Sequence, residues 1–168
     1  MTGAVVWFTG LPGAGKSTLA RRVAARLREA RREPVVLDGD DVRAVLVPRP
    51  GHDPEGRDGF YRTLAGLAAL VARDGAIALV AATAHRQAWR AHARTLTPRF
   101  VEVYLATPLD ECRRRDPKGL YAAAPADLPG VGVAYEPPTH AEVVVVPGRE
   151  ATAVDQILAH LAIGGIDP

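Results

Sequence analysis

The sequence "GLPGAGKS", residues 10–17, decides the fold of this chain, because it matches the pattern G-x-x-x-x-G-K-[ST] of a phosphate-binding loop. It follows the apolar stretch "AVVWFTG" (4–10), which is typical of a β-strand. It also opens "GKSTLARRVAARLREA" (15–30), which is typical of an amphipathic helix. In this context the backbone N–H groups of the turn and the positive end of the helix bind nucleotide phosphates. The residues expected to contact the nucleotide are Gly10, Leu11, Pro12, Gly13, Ala14, Gly15, Lys16, Ser17 and Thr18.

Two side chains of this loop carry specific expectations. Lys16 is expected to reach the β- and γ-phosphate oxygens of ATP, and the Ser17 hydroxyl is expected to ligate Mg²⁺. Lys16 and Lys118 are the only lysines among 21 strongly basic residues, and neither follows an asparagine. The N-K-x-D segment that reads guanine is therefore absent, which argues against a regulatory GTPase. The small size of the chain favours a kinase of a small molecule that uses ATP and Mg²⁺.

The order of apolar and periodic stretches predicts an α/β fold. Alternating strands and helices indicate a three-layer P-loop NTPase of the nucleoside-kinase type, with a parallel five-stranded sheet and helices on both faces. The proline-rich segment without clear periodicity predicts a flexible lid over approximately residues 113–138, and the whole chain, residues 1–168, is expected to form one kinase domain. The predicted strands are 4–10, 34–38, 76–82, 99–107 and 141–146, and the predicted helices are 15–30, 40–46, 57–75, 85–96, 108–116 and 151–162.

Composition narrows the class of partner. The formal net charge of +2 is too small to indicate a nucleic-acid or membrane partner. No apolar run approaches the ~18 residues that span a bilayer, and the start of the chain lacks the pattern of a signal peptide. We therefore expect a cytoplasmic protein. The single cysteine, Cys112, lies in a helical pattern and is expected to pack rather than react.

An acidic cluster follows the second predicted strand in "VVLDGDDVR". Ligands of parallel sheets bind at the carboxyl ends of the strands, so Gly10, Asp38 and Thr83 are expected to converge. A phosphoryl-transfer enzyme needs a carboxylate that orients and deprotonates the acceptor hydroxyl near Mg²⁺. Asp38 is predicted to be that catalytic residue and a metal ligand, whereas Asp41 is predicted to cap the next helix.

Four stretches, in this order, resemble adenylylsulfate (APS) kinase: "GLPGAGKST", "LDGDDVR", "FVEVYLATPLDECRRRDPKGLY" and "YEPP". The resemblance covers essentially the whole chain. It implies phosphorylation of the 3′-hydroxyl of adenosine 5′-phosphosulfate with ATP and Mg²⁺. It also implies that Asp38 lies beside that hydroxyl and the metal. The family homologue is often a homodimer, so the resemblance implies that assembly as well.

The same resemblance assigns the side chains of the acceptor pocket. Asp40 and Arg43 match positions that contact the substrate, and Asp40 is expected to take part in catalysis. Arg57 matches a second substrate arginine, and Lys118 matches a lysine of the lid that reaches the substrate. Of the three arginines at the root of the lid, Arg115 is expected to cover ATP.

The chain departs from the family where the substrate's adenosine would lie. His52 and Leu128 stand at the positions of two phenylalanines that clamp the adenine. Phe60 stands where an asparagine is expected. After the third strand, Ala82 and Thr83 are expected to line the substrate pocket, and Thr83 replaces the serine of a serine–proline pair.

These departures leave three hypotheses open. The chain is an APS kinase with a rebuilt adenosine pocket, a kinase of another hydroxyl acceptor such as a nucleoside, a sugar or a specialised metabolite, or a nucleotide-binding module without kinase activity. Turnover on APS, turnover on another alcohol, and ATP binding without turnover distinguish the three.

Overall fold

Parallel strands form the central sheet of the part of the chain that the structure, a computed structural model, describes: residues 3–161. In this part there are five strands: β1 (Ala4–Gly10), β2 (Pro34–Asp38), β3 (Ile77–Ala81), β4 (Phe100–Leu105) and β5 (Val143–Val145). Their order in the sheet is β2-β3-β1-β4-β5, and every neighbouring pair is parallel. The predicted fold class is confirmed, and β1 and β2 have the predicted bounds.

The helices connect these strands. They are α1 (Lys16–Glu29), α2 (Gly39–Val45), α3 (Pro54–Arg73), α4 (Gln87–Thr95), α5 (Leu109–Arg115), α6 (Leu120–Ala123) and α7 (Glu150–His160). The predicted start of α3 at residue 57 is wrong, because the Asp53 side chain accepts a hydrogen bond from Gly56 N–H (2.6 Å) and caps an earlier first turn. The predicted end of the last helix, residue 162, lies outside the described residues. Within residues 3–161 no helix combines the length and apolar character that crossing a bilayer requires.

Both faces of the sheet are buried, and β1 shows the reason. Val6 and Phe8 pack into one apolar cluster with α1 and α7, whereas Val5 and Trp7 pack into a second cluster with α3 and α4. A strand covered on both faces needs apolar residues at every position rather than at alternate ones. The continuously apolar sequence of β1 therefore corresponds to a central strand. Cys112 is fully buried in the first cluster, as expected.

The carboxyl ends of three strands meet at one edge of the sheet. Asp38 in β2 is in register with Ala81 in β3, and Ala81 is in register with Phe8 in β1. The Thr9 hydroxyl donates a hydrogen bond to the Thr83 carbonyl oxygen (2.7 Å). The predicted convergence of these strand ends is confirmed.

The lid, defined by the predicted bounds 113–138, contains one element that the sequence pattern did not predict. The carboxylate of Asp116 accepts hydrogen bonds from the backbone N–H groups of Tyr121 (3.1 Å) and Ala122 (3.0 Å), which stabilises the short helix α6. Gly119 precedes α6 with a φ of 65°. Apart from α6 and the end of α5, the lid is irregular, with one bridge between Pro129 and Val133.

Candidate active site

One cleft of about 660 Å³ lies at the carboxyl edge of the sheet. Its wall combines the phosphate-binding loop, the ends of β2 and β3, helices α2 and α3, and the lid. The predicted site residues that line it are Pro12, Gly13, Gly15, Lys16, Ser17, Thr18, Asp38, Asp40, Arg43, His52, Arg57, Phe60, Ala82, Thr83, Arg115, Lys118 and Leu128. The other predicted residues, Gly10, Leu11 and Ala14, support the loop from outside this wall. Most of the residues expected at the site thus surround one cavity, and their individual roles stay predictions.

The phosphate-binding loop has a conformation that needs glycine at two positions. Gly10 has a φ of 151°, and a Cβ there would lie 2.7 Å from the Leu105 carbonyl oxygen. Gly15 has a φ of 101° and is the N-cap of α1. L side chains rarely adopt such φ values. Ala14 N–H donates to the Leu11 carbonyl oxygen (3.1 Å) and closes the turn that leads into the helix N-terminus.

The ammonium group of Lys16 lies against this loop. Its Nζ donates hydrogen bonds to the carbonyl oxygens of Gly10 (3.0 Å) and Leu11 (2.8 Å). Burial lowers the pKa of Lys16 to about 8, and the opposing influence of nearby acidic groups, Asp40 among them, is weaker. A desolvated cation with little compensating negative charge favours binding of an anion, which would raise this pKa again.

Ser17 and Asp38 form the contact between the loop and the second strand. The Ser17 hydroxyl donates to Asp38 Oδ2 (2.5 Å), while Asp38 Oδ1 accepts from the Asp40 backbone N–H (3.1 Å). Asp38 is therefore the N-cap of α2. The prediction that Asp41 caps this helix is wrong, because the helix begins two residues earlier, at Gly39.

The oxygens of Ser17 and Asp38 fit a magnesium ion. Mg²⁺ takes hard oxygen ligands and is usually held by one or two protein groups together with substrate phosphates and water. Among the residues that the structure describes, no group of three or more His, Cys, Asp or Glu side chains is arranged as a metal site. Two protein oxygens would leave the other positions around such an ion to phosphate oxygens and water.

Arg43 and Phe60 form a stacked pair on the acceptor side of the cleft. The Arg43 Cζ lies 3.9 Å from the centroid of the Phe60 ring. The guanidinium also donates through Nη1 to the carbonyl oxygens of Pro50 (3.1 Å) and Gly51 (2.9 Å). Phe60 is only 2% exposed, so one of its faces supports Arg43. Direct stacking of Phe60 on a substrate base is not favoured by this burial.

Arg57 connects α3 to the lid. Its Nη2 donates to the carbonyl oxygen of Asp127 (2.8 Å) and forms a salt bridge with the Asp127 carboxylate (3.2 Å). The Arg57 side chain is 10% exposed and the Asp127 side chain 46%. The arginine predicted to bind substrate therefore also holds the segment of the lid that carries Leu128.

Lys118 reaches across the cleft from the lid and forms an ion pair with the Asp40 carboxylate. The hydrogen bond that Lys118 donates to Asp40 within this pair raises the pKa of Lys118. Burial acts to raise the pKa of Asp40, but the hydrogen bond and charge of Lys118 outweigh it and the pKa is lowered. Both shifts favour the charged pair. Its side chains are mostly exposed, so the contribution of the pair to stability is small.

The two residues at the adenine-clamp positions line the cleft with different surfaces. Leu128 is buried and apolar, whereas His52 is exposed on the loop before α3. Partial burial and the charges of Arg43 and Arg57 lower the pKa of His52, so its ring is mostly neutral at pH 7. A flat neutral ring and an aliphatic wall therefore stand where the family has two phenylalanines.

The backbone after β3 explains one further departure. Ala84 has a φ of 39°, and its N–H donates a hydrogen bond to the Tyr61 hydroxyl (3.0 Å). Proline has a fixed φ near −65° and no N–H, so it fits neither feature. The replacement of the family's proline by Ala84 is thus tied to a different local backbone next to Thr83.

The network that anchors the C-terminal root of the lid was not predicted from the sequence. The Tyr135 hydroxyl shares a hydrogen bond with the Thr9 hydroxyl (2.9 Å). Arg90 is 1% exposed and donates to the Glu102 carboxylate (2.8 Å) and the Glu136 carbonyl oxygen (2.6 Å). Arginine in an amphipathic helix is normally assigned to the solvent face, so only the "YEPP" stretch marked this region, through the resemblance.

The N-terminal part of the lid contacts the phosphate side. The Tyr121 hydroxyl donates to the Pro12 carbonyl oxygen (2.7 Å). Arg115 lines the main cleft and also a smaller cavity of about 200 Å³ that shares Gly15 and Thr18 with it. Arg113 and Arg114 line neither cavity. Of these three arginines Arg115 alone lines the two cavities, and its expected contact with the nucleotide stays a prediction.

Comparison with known proteins identifies the group to which the chain belongs. The protein family described as Adenylylsulphate kinase matches residues 2–146. The chain belongs to the adenylylsulfate kinase family. The confirmed fold, with its P-loop at the end of β1, is consistent with this membership.

Relatives in this family differ in length. The adenylyl-sulfate kinase of Paraburkholderia xenovorans is 41% identical over 170 residues, which cover 97% of this chain and 95% of that protein. A probable bifunctional SAT/APS kinase 2 of Sorangium cellulosum is 42% identical over 100% of this chain, but the chain spans only 30% of that protein. Members of the adenylylsulfate kinase family thus occur both alone and within longer chains.

A solved structure of the family agrees closely in three dimensions. The Mycobacterium tuberculosis APS kinase CysC, in complex with AMPPNP and APS, matches with a TM-score of 0.90 at 35% identity. The match covers 96% of this chain and 98% of that chain. The agreement extends beyond the sheet to most of the chain, because so large a coverage leaves out few residues.

Proposed function

We propose that this protein is an ATP-dependent adenylylsulfate kinase. It transfers the γ-phosphoryl group of ATP to the 3′-hydroxyl of adenosine 5′-phosphosulfate and yields 3′-phosphoadenylylsulfate and ADP. The observation that carries the proposal is the single cleft in which the Ser17–Asp38 contact faces the cations Arg43, Arg57 and Lys118. An APS kinase of the same fold that binds AMPPNP and APS supports it.

The phosphate side of the cleft binds the triphosphate. The loop and the N-terminus of α1 offer backbone N–H groups, and Lys16 neutralises charge on the β- and γ-phosphates. Ser17 and Asp38 would hold Mg²⁺, and such an ion would neutralise phosphate charge during transfer. Arg115, which lines both the main cleft and the smaller cavity beside Gly15, contacts the nucleotide.

The acceptor side places the hydroxyl for in-line attack. Asp38 accepts the proton of the 3′-hydroxyl while the new O–P bond forms and the bond between the γ-phosphorus and the bridging oxygen of ADP breaks. Arg43, Arg57 and Lys118 bind the anionic end of the acceptor, and Asp40 positions Lys118 through their ion pair. The reaction needs no covalent intermediate on the protein, because positioning and charge neutralisation supply most of the catalysis.

A coupled assay of ADP release tests the proposal. We expect ADP release that depends on adenosine 5′-phosphosulfate, with 3′-phosphoadenylylsulfate as the product detected by chromatography. The same assay is run with a panel of nucleosides and sugars. If APS supports no turnover and another alcohol does, the proposed acceptor is wrong while the kinase assignment stands.

A kinase of another hydroxyl acceptor is the second candidate function. It is favoured by one observation, the replacement of the two clamp phenylalanines by His52 and Leu128, which weakens selection for adenine. ATP binding without turnover on any acceptor would instead support a nucleotide-binding module. Homodimer formation rests on the resemblance alone and stays a prediction, which light scattering after size-exclusion chromatography tests.

A further inference from the structure

Phe60 stands where the resemblance predicts an asparagine, and its ring makes a contact that an asparagine would not make. Its ring lies under the guanidinium of Arg43, with 3.9 Å between the Arg43 Cζ and the ring centroid. Phe60 is 2% exposed and Arg43 5% exposed. Both residues nevertheless line the cleft. The pair is therefore a packed unit at the wall of the acceptor pocket.

Stacking leaves the hydrogen-bonding edge of a guanidinium available. The contact with a ring uses the flat face of Arg43, whereas its N–H donors point outward in the plane of the group. Nη1 is engaged by the carbonyl oxygens of Pro50 and Gly51. These bonds fix the rotation of the guanidinium in its plane, and the ring fixes the tilt of that plane. The remaining edge is the part suited to a planar, bidentate contact with an anion.

The neighbouring cations already have carboxylate partners, which supports Arg43 as the group that binds an anion. Arg57 forms a salt bridge with Asp127, and Lys118 forms one with Asp40. Within residues 3–161, the direct partners observed for Arg43 are carbonyl oxygens and an aromatic ring, with no carboxylate in salt-bridge contact. Arg43 is thus the acceptor-side cation whose charge is least compensated by direct contacts.

We propose that Phe60 is a positioning residue that sets the affinity for an anionic acceptor by holding Arg43 edge-on to the cleft. This inference rests on the proposed function and adds to it the role of a residue that the chain does not share with the expected pattern. The asparagine at this position would offer an amide to the substrate directly. Phe60 replaces that direct contact by orienting an arginine.

A role in core packing alone makes a different prediction. Phe60 also contacts Tyr61 edge-on, with 5.2 Å between ring centroids, and it belongs to the apolar cluster below α3. If Phe60 only fills space, its truncation lowers the melting temperature without a selective effect on the acceptor. The test therefore needs a variant that loses a similar ring under a similar arginine at a distance from the cleft.

Phe100 supplies that matched control. It is 8% exposed in β4, and the Arg94 Cζ lies 4.9 Å from the centroid of its ring. Neither Phe100 nor Arg94 lines the cleft. Phe60→Leu and Phe100→Leu each remove an aromatic face and leave an aliphatic side chain in the core.

The experiment compares the KM values for APS and ATP, the kcat and the melting temperature of both variants. We expect Phe60→Leu to raise the KM for APS about 10-fold, as expected for the loss of a cation–π contact, with the kcat and the KM for ATP within about twofold of the original enzyme. Phe100→Leu should lower the melting temperature and leave the KM for APS unchanged. Equal KM values for APS in the two variants would overturn the proposal.

A double-mutant cycle shows whether Phe60 acts through Arg43. Arg43→Lys keeps the charge and loses the planar edge, so adding Phe60→Leu to it should raise the KM for APS no further. An additive effect would overturn the proposal. If Phe60→Leu does not fold, Phe60→Met replaces it in both comparisons. Failure of the proposed function is seen separately, as the absence of APS-dependent ADP release by the unaltered enzyme, and calorimetric binding of APS then gives the same comparison without turnover.

Discussion

On the phosphate side of the cleft, the residues expected to hold the nucleotide come mainly from one stretch, residues 10–18, whereas the acceptor side joins residues as far apart as Asp40 and Lys118, 78 positions apart. The first side follows its motif residue by residue. The second side is held by pairs that the motif does not contain, Arg43 with Phe60 among them. A contiguous loop can be changed little without losing its function, while a pocket assembled from separate segments can be rebuilt one pair at a time.

The largest expected effect lies where the two sides meet. Asp38→Asn should cut turnover at least ~100-fold, because the amide cannot accept the proton of the acceptor hydroxyl. Asparagine caps helices as well as aspartate does, so α2 and the affinity for ATP should change little. Steady-state ADP release and calorimetric binding of ATP measure the two quantities.

The control for this substitution is Asp41→Asn, which removes a carboxylate from the same helix outside the cleft. It should leave turnover near that of the original enzyme. Near-normal turnover of Asp38→Asn would remove this residue from its catalytic role.

Restoring an aromatic ring on the acceptor side should lower the KM for APS and leave the KM for ATP unchanged. Leu128→Phe adds a stacking partner for adenine, and stacking of about 1–3 kcal/mol per base predicts a KM for APS that is about 10-fold lower or more. The KM for ATP should not change. Val131→Phe, an addition at an exposed position of the lid, is the control. An unchanged KM for APS would show that the base does not lie against Leu128.

The phosphate side should show a pH dependence that the acceptor side lacks. Lys16 has a pKa of about 8 in the protein, lowered by burial, so its charge is lost as the pH rises above 8. If bound phosphates keep it protonated, the affinity for ATP is constant below that pH and falls about 10-fold between pH 7 and pH 9. Titrations with a fluorescent ATP analogue across this range measure the affinity.

The stability of the folded protein should change with pH in the opposite direction to the affinity for ATP. The unfolded chain binds a proton at Lys16 up to a pKa near 10.5, so burial of this charge lowers the stability most below pH 8. This penalty is relieved as the pH rises from 8 toward 10.5. In Lys16→Met the decline of ATP affinity with pH should disappear, and an equal decline in that variant would contradict the assignment.

The smallest expected effect concerns the lysine of the lid. Lys118→Arg keeps the charge but replaces a compact ammonium group by a planar fork, which pairs with Asp40 in a different geometry. Because the pair is exposed, we expect a loss in kcat/KM for APS of up to about fivefold. Arg113→Lys, the reverse exchange outside the cleft, should have no effect. Unchanged kcat/KM in Lys118→Arg would show that shape does not matter at this position.

The comparison also explains how much the sequence could predict. Fold class, the bounds of β1 and the placement of Lys16 and Ser17 depend on local patterns, and the structure agrees with them. The partners of Arg43 and Arg57 could not be predicted. Phe60 reaches Arg43 only because α2 packs against α3, and Asp127 reaches Arg57 only because the lid packs against α3. Short helix α6 was missed since four residues are too few for a helical period.

One wrong prediction and one contact that was not predicted have the same kind of cause. Asp38 rather than Asp41 caps α2, because a carboxylate at the last position of a strand can reach the N–H group two residues ahead. The role of Arg90 was not predicted, because its partner, the buried carboxylate of Glu102, lies opposite it only in the folded structure, in β4. In both cases the hydrogen-bond partner is set by the three-dimensional arrangement, and no periodic pattern of the sequence indicates it.

The anchoring of Tyr135 and Glu136 has a consequence for chimeric enzymes. These two residues are bonded to Thr9, Gln87 and Arg90, which belong to the body of the protein. A segment exchanged to alter acceptor choice should therefore end at residue 134. A junction placed farther along would replace the Tyr135 hydroxyl bonded to Thr9 and the Glu136 carboxylate that accepts from Gln87 N–H, so the recombinant would lose two side-chain contacts that join the lid to the body.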